Sequence, residues 1–102
     1  MEITLNQEGN NAKIVIVGDI DESGAEQLKS NFNKLNLSNT KEVVIDFARV
    51  NYVGSSGIGK LLLFYKNLAV NGGKIHIINV SNSLYDLFLE LKLDSILSIS
   101  KR

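Results

Sequence analysis

The stretch Asp46-Phe47-Ala48-Arg49-Val50-Asn51-Tyr52-Val53-Gly54-Ser55-Ser56-Gly57-Ile58-Gly59-Lys60, continued by Leu61-Leu62-Leu63-Phe64-Tyr65-Lys66, decides the fold. The apolar run Val43-Val44-Ile45 leads into it and a helix-period pattern leads out of it. A small polar Gly/Ser loop therefore sits between a buried strand and the start of a helix, which is where an α/β domain builds a site.

Gly54 to Lys60 spells G-x-x-x-x-G-K between a strand and a helix, the spacing of a phosphate cradle. Leu61 stands where that motif needs a Ser or Thr hydroxyl to ligate Mg²⁺. A nucleotide hydrolase also needs an acid at a later strand end, and the next strand, Lys74 to Ile78, is followed by Asn79. The loop lacks both metal ligands of a nucleotide site.

Upstream, Ile3 and Leu5 alternate with Glu2, Thr4 and Asn6, giving a strand with one buried face. Gln7 to Asn11 is turn chemistry, and Lys13 to Val17 is a β-branched run, so the two strands pair as an antiparallel hairpin closed by Gly18. Asp19 to Glu22 form an acidic loop. Ser23 and Glu26 then have the spacing of a capping box, ahead of a helix with Ala25, Leu28, Phe32 and Leu35 on one stripe. Asn36 to Thr40 end it. In the next strand Val43-Val44-Ile45 is apolar on both faces, as for a strand covered on two sides.

Downstream, Ile58, Leu61, Leu62, Tyr65, Leu68 and Ala69 mark the inward face of the second helix, leaving Leu63, Phe64 and Val70 outside it as a candidate contact patch. Ser56 is the expected N-cap. Asn71-Gly72-Gly73 stops this helix, Ile75 to Ile78 is a strand, and Ser81 to Ser83 opens a third helix with Leu84, Leu87, Phe88 and Leu91 inward. Ile96 to Ile99 is a last short strand. The order ββαβαβαβ gives an α/β domain with a mixed, mostly parallel sheet and packed helices.

The 102 residues suffice for one core, and 44% hydrophobic with 22% charged residues is the composition of an ordinary globular protein. Eleven basic and eleven acidic residues cancel, so nothing directs the chain to nucleic acid or an anionic membrane surface. With no Cys and one His there is no disulfide, no thiol nucleophile and no Cys/His metal site, so no cofactor or metal is expected. No run approaches a membrane span and no leader precedes the first strand, which makes the cytoplasm the expected compartment.

Among single residues, Ser55 and Ser56 fall at a helix N-terminus, where unbonded amides and the helix dipole favour an anion. Asp19 and Asp21 lack the His or Lys that an acid/base pair would need beside them. Asp46, at a strand end, suits either a ligand at the carboxyl edge of the sheet or hydrogen bonds to the following turn. His76 alternates with Ile75 and Ile77 as a half-exposed strand residue.

The segment DFARVNYVGSSGIGKLLLFYK resembles the central motif of STAS domains of the anti-sigma factor antagonist (anti-anti-sigma) family: strand-Asp, small residue, apolar spacer, Asp-Ser-Ser/Thr-Gly, apolar helix. Asp46, Ser55, Ser56 and Gly57 match it, and Gly18-Asp19-Ile20-Asp21 resembles the family's earlier turn; Gly54 stands where the family has Asp. Nearly the whole chain aligns, implying a single STAS-like domain over residues 1–102. The resemblance implies a phosphoacceptor at Ser55 and a partner surface of Asp19, Asp21, Gly54, Ser55, Ser56, Gly57, Lys60 and Phe64. The partner would be an anti-sigma factor of the serine-kinase type, released when Ser55 is phosphorylated, with this chain as substrate and not enzyme. The alternative within the family is a constitutive interaction module that dispenses with phosphorylation.

Overall fold

In a computed structural model describing Met1–Arg102, Glu2–Glu8 (β1) and Asn11–Val17 (β2) form the expected antiparallel hairpin, with Ile3 opposite Ile16 and Leu5 opposite Ile14. Both strands run longer than the sequence suggested. The turn shrinks to Gly9-Asn10, with Gly9 at φ 58°, a conformation open to glycine.

The chain continues through helix α1 (Glu22–Phe32), β3 (Glu42–Arg49), α2 (Ser55–Ala69), β4 (Lys74–Val80), α3 (Asn82–Glu90), a 3₁₀ turn at Leu93–Ser95 and β5 (Ser98–Lys101). The strands lie in sequence order, β1-β2-β3-β4-β5, with every pair after the first parallel. This is the expected mixed α/β architecture. The last strand falls two residues later than expected because the 3₁₀ turn occupies Leu93–Ser95, with Leu93 and Leu97 buried in place of Ile96.

Register explains where the core lies. Ala12, Val43 and Ile75 stand side by side, as do Ile14, Ile45 and Ile77, and all are buried with Phe47 against Leu28, Leu61, Leu68 and Phe88. The alternate rows, Lys13-Val44-His76 and Val15-Asp46-Ile78, are half-buried or exposed. Val44 was expected under a second layer, and it is not. Sequential parallel strands joined by crossovers of one hand put every helix on the same side, which leaves the other face uncovered.

On the covered side α1 and α2 run alongside each other, with the rings of Phe32 and Phe64 stacked at 3.9 Å and 9°. Gly72, at φ 78°, turns the chain out of α2, and the Gly73 amide donates to the Leu68 carbonyl at 3.0 Å. Leu91, expected inward on α3, lies just beyond the helix and is exposed, because Leu84 and Phe88 fill that face. No helix is long and apolar enough to cross a membrane.

Candidate functional site

The site is assembled by two loops sewn together through their backbones. The Ile20 amide donates to the Tyr52 carbonyl and the Gly54 amide donates to the Ile20 carbonyl, both at 2.9 Å, making a one-residue parallel bridge between Ile20 and Val53. The Gly18 amide adds a bond to the Arg49 carbonyl at 3.0 Å. Buried Ile20 and Val53 anchor the two loops below, and Asp19 and Asp21 are held exposed beside the start of α2.

How the helices begin differs from the sequence reading. The N-cap of α1 is Asp21, whose carboxylate accepts from the Gly24 amide at 2.8 Å, so Ser23 lies inside the first turn and the Ser23/Glu26 box does not form. Pinning of Ile20 fixes the chain so that Asp21 reaches the free amides first. In α2 the N-cap is Gly54, at φ −82° and ψ 172°, and not Ser56. Ser55 and Ser56 are therefore the first two helical residues, both exposed.

Of the three α-helices, only α2 starts without a side-chain cap; Ser81 caps α3 through the Leu84 amide at 3.4 Å. The amides of Ser55, Ser56 and Gly57 have no acceptor within the protein. These amides and the helix dipole give the Ser55 hydroxyl an environment that stabilises added negative charge.

The nucleotide-cradle reading fails on geometry as well as on ligands. Ser55 through Lys60 are helical, so the seven-residue motif makes no loop to wrap a phosphate. Lys60 points to Glu26 of α1, Nζ to Oε1 3.6 Å. The sheet never reverses its strand order, so it also lacks the crevice where open α/β sheets take nucleotides. No three His, Asp or Glu side chains converge on a point that could hold a metal ion.

Two residues of the expected partner surface lie inside the protein. Phe64 is 3% exposed, because α2 packs on α1 as well as on the sheet and its inward stripe is Gly57-Leu61-Phe64-Leu68. Gly57 is buried too: a Cβ there would sit 2.7 Å from Ile20 Cγ2 and 3.0 Å from Val53 Cγ1. Glycine at 57 lets the first turn of α2 settle onto the two anchors. Asp19, Asp21, Ser55 and Ser56 are exposed, with Gly54 and Lys60 partly so, and Leu63 and Val70 reach solvent as expected.

Asp46 carries out its structural option. Its Oδ1 accepts from the Ala48 amide at 2.9 Å and from Asn79 Nδ2 at 3.1 Å. Burial pushes the carboxyl up, but these bonds and the charge of Lys13 outweigh it and hold Asp46 below the usual carboxylate range. Asn79 makes its bond from a left-handed backbone, φ 59°. His76 is half-exposed as expected and pairs with Glu42 on the uncovered face.

The residue that the sequence reading passed over is Tyr52. It is 53% exposed, and its hydroxyl lies 3.1 Å from the point where a side chain at Gly54 would begin. A large aromatic two positions before a glycine at a helix start was the available signal.

A family model described as Mlab, STAS domain matches residues 3–98. Among solved structures, an anti-sigma factor antagonist from Mycobacterium paratuberculosis superposes with a TM-score of 0.84 at 18% identity, covering 99% of this chain and 86% of that one. The Bacillus cell fate determinant SpoIIAA in its phosphorylated form gives 0.76 at 18% identity, covering 99% and 93%. A sulfate transporter family protein from Wolinella succinogenes gives 0.79 at 18% identity, covering 91% and 78%.

Proposed function

From the chain's place in the STAS domain family, to which it belongs, we propose that it is an anti-sigma factor antagonist whose hold on its partner is broken by phosphorylation of Ser55. The single observation that carries this reading is Ser55 itself: exposed, first in a helix with three unbonded amides and no side-chain cap, beside a loop bearing Asp19 and Asp21. An anti-sigma factor of the serine-kinase type is the partner, and Asp19, Asp21, Gly54, Ser55, Ser56 and Lys60 make the contact. Gly57 and Phe64 serve that surface from below. The chain is then a kinase substrate and not a catalyst, and it works in the cytoplasm, where sigma factors act.

The physics of release follows from where the phosphate would sit. It adds about −1.5 to −2 charge. The helix end stabilises that charge, so the fold is undisturbed and the cost falls on the complex, which would have to desolvate it beside Asp19 and Asp21. Partner affinity of Ser55→Asp and Ser56→Asp, measured with an anti-sigma factor kinase from the same genome, tests the idea. Ser55→Asp should bind at least about tenfold more weakly with an unchanged melting temperature, a loss of about 1.4 kcal/mol, and Ser56→Asp much less so. Equal affinity of wild type and Ser55→Asp sinks the switch.

Gly54 favours a second reading. With glycine where the family has Asp, no carboxylate orients the Ser55 hydroxyl, and the domain would hold its partner constitutively. A transporter family protein has the same fold. Absence of phosphate incorporation at Ser55 alongside tight partner binding selects this version.

A further inference from the structure

The two loops beside α2 expose one large apolar side chain, that of Tyr52. Asp19, Asp21 and Asn51 of those loops, with Ser55 and Ser56 at the helix start, are exposed and polar. The other large apolar residues that reach solvent lie elsewhere: Leu63 along α2 and Val70 just past it, Leu89 on α3, Leu91 and Ile96 after α3. A single exposed aromatic is ordinary in itself. What sets this one apart is how it is held.

Its carbonyl accepts from the Ile20 amide at 2.9 Å, and the chain is fixed on both sides of it. Val53 is buried in the bridge to Ile20, and Val50 is buried with its amide on the Phe47 carbonyl at 3.0 Å. With the backbone pinned, two side-chain torsions place the ring. Gly54, having no side chain, lets that ring lie across the start of α2: its Cε2 and Cζ are 3.6 Å from the point where a Cβ would stand. An aromatic plate, half in water, is thus set in advance three residues before Ser55.

We infer that Tyr52 is the anchor of the surface around Ser55, its ring entering an apolar pocket of the protein partner that ends in a hydrogen-bond acceptor for the hydroxyl. The inference rests on the reading of that surface given above and adds the residue that carries its affinity. Asp19 and Asp21 are exposed charges, which act chiefly on the partner's approach and are screened by salt. Ser55 and Ser56 offer little apolar area. A tyrosine buries about 150–250 Å², and one already placed loses little freedom on docking. A phosphate on Ser55 brings its hydration shell to the edge of the same pocket, where an apolar wall cannot replace it.

The test measures binding of the full chain to the anti-sigma factor kinase from the same genome, with rates as well as affinity. Tyr52→Ala should bind at least about tenfold more weakly, through faster dissociation and with the melting temperature retained. Tyr52→Phe, which keeps the ring, should stay within about threefold of wild type, and Val70→Ala, exposed past the far end of α2, should match it. Equal affinity of wild type and Tyr52→Ala removes the anchor and leaves the functional reading standing. A wild type that does not bind removes both. The proposal is also overturned if Tyr52→Phe loses as much as Tyr52→Ala, which would put the contact on the hydroxyl alone. Self-association of the free chain that Tyr52→Ala abolishes overturns it too, by making the occupant a second copy.

Discussion

The hydroxyl of Tyr52 occupies the space into which a side chain at Gly54 would project, 3.1 Å from the position of its Cβ. Gly54 itself is extended, at φ −82°, so an L-residue fits its backbone without strain. That hydroxyl is the far end of a half-exposed side chain, which can swing aside.

Gly54→Asp should therefore fold and cap α2. Aspartate exceeds glycine as an N-cap by a few tenths of a kcal/mol, a rise in melting temperature of about 1–3 °C for a domain of this size. If Ser55 is a phosphoacceptor, the new carboxylate should also speed phosphate incorporation by a serine-kinase partner. A marked loss of stability, not restored by adding Tyr52→Ala, would show the pocket at Gly54 to be rigid.

Two glycines two residues apart in α2 should respond in opposite directions. Gly57→Ala pushes a methyl into Ile20 and Val53 and should cost about 1–3 kcal/mol. At Gly59 nothing lies within 4 Å of an added Cβ, so Gly59→Ala should gain about 0.5–1 kcal/mol of helix propensity. Urea unfolding of both variants reads the contrast directly.

Phe64→Ala should destabilise by about 3–5 kcal/mol, since it empties the ring stack on Phe32. Leu63→Ala, one residue earlier and half-exposed, should cost under about 1 kcal/mol. Similar losses for the two would contradict the phase of the helix described above.

Asp46 links stability to acid. Its folded-state pKa lies below the ordinary value, so its contribution is present above the unfolded value and is lost as pH falls through the folded one. Asp46→Asn should be less stable than wild type at neutral pH, by about 1 kcal/mol, and the two should converge as pH falls below the ordinary carboxylate range and on through the lowered folded-state value. A gap that stays constant across that range would remove the carboxylate from the account.

Much of this was legible in the chain. The element order followed from the two hydrophobic periods and from Gly72, and Ser55 stood out because a Gly/Ser loop preceded an apolar helix. What misled the phase of α2 was Gly57, the residue that begins its buried stripe, which carries no hydrophobic signal. Counting from the leucines alone put Phe64 outside; counting from Gly57 puts it in. The caps were misread for a similar reason, since Asp21 and Gly54 are placed by the Ile20–Val53 bridge, a tertiary constraint with no local signature. The uncovered face was hidden because Val44 and Ile78 are as apolar as residues that are buried, and only strand order reveals which side the helices take.

That strand order has a kinetic meaning too. Each strand pairs with the one that left the ribosome just before it, so the sheet can grow from β1 to β5 without any strand waiting for a distant mate. After the hairpin, loop closure at each parallel step spans one α-helix and its short connections, which keeps the entropic barrier low for a parallel sheet. The Ile20–Val53 bridge and the residues around Ser55 all precede α3 and β5 in the chain, so neither of those last elements supplies a residue to that surface. A nascent chain halted after β4 should already present that surface.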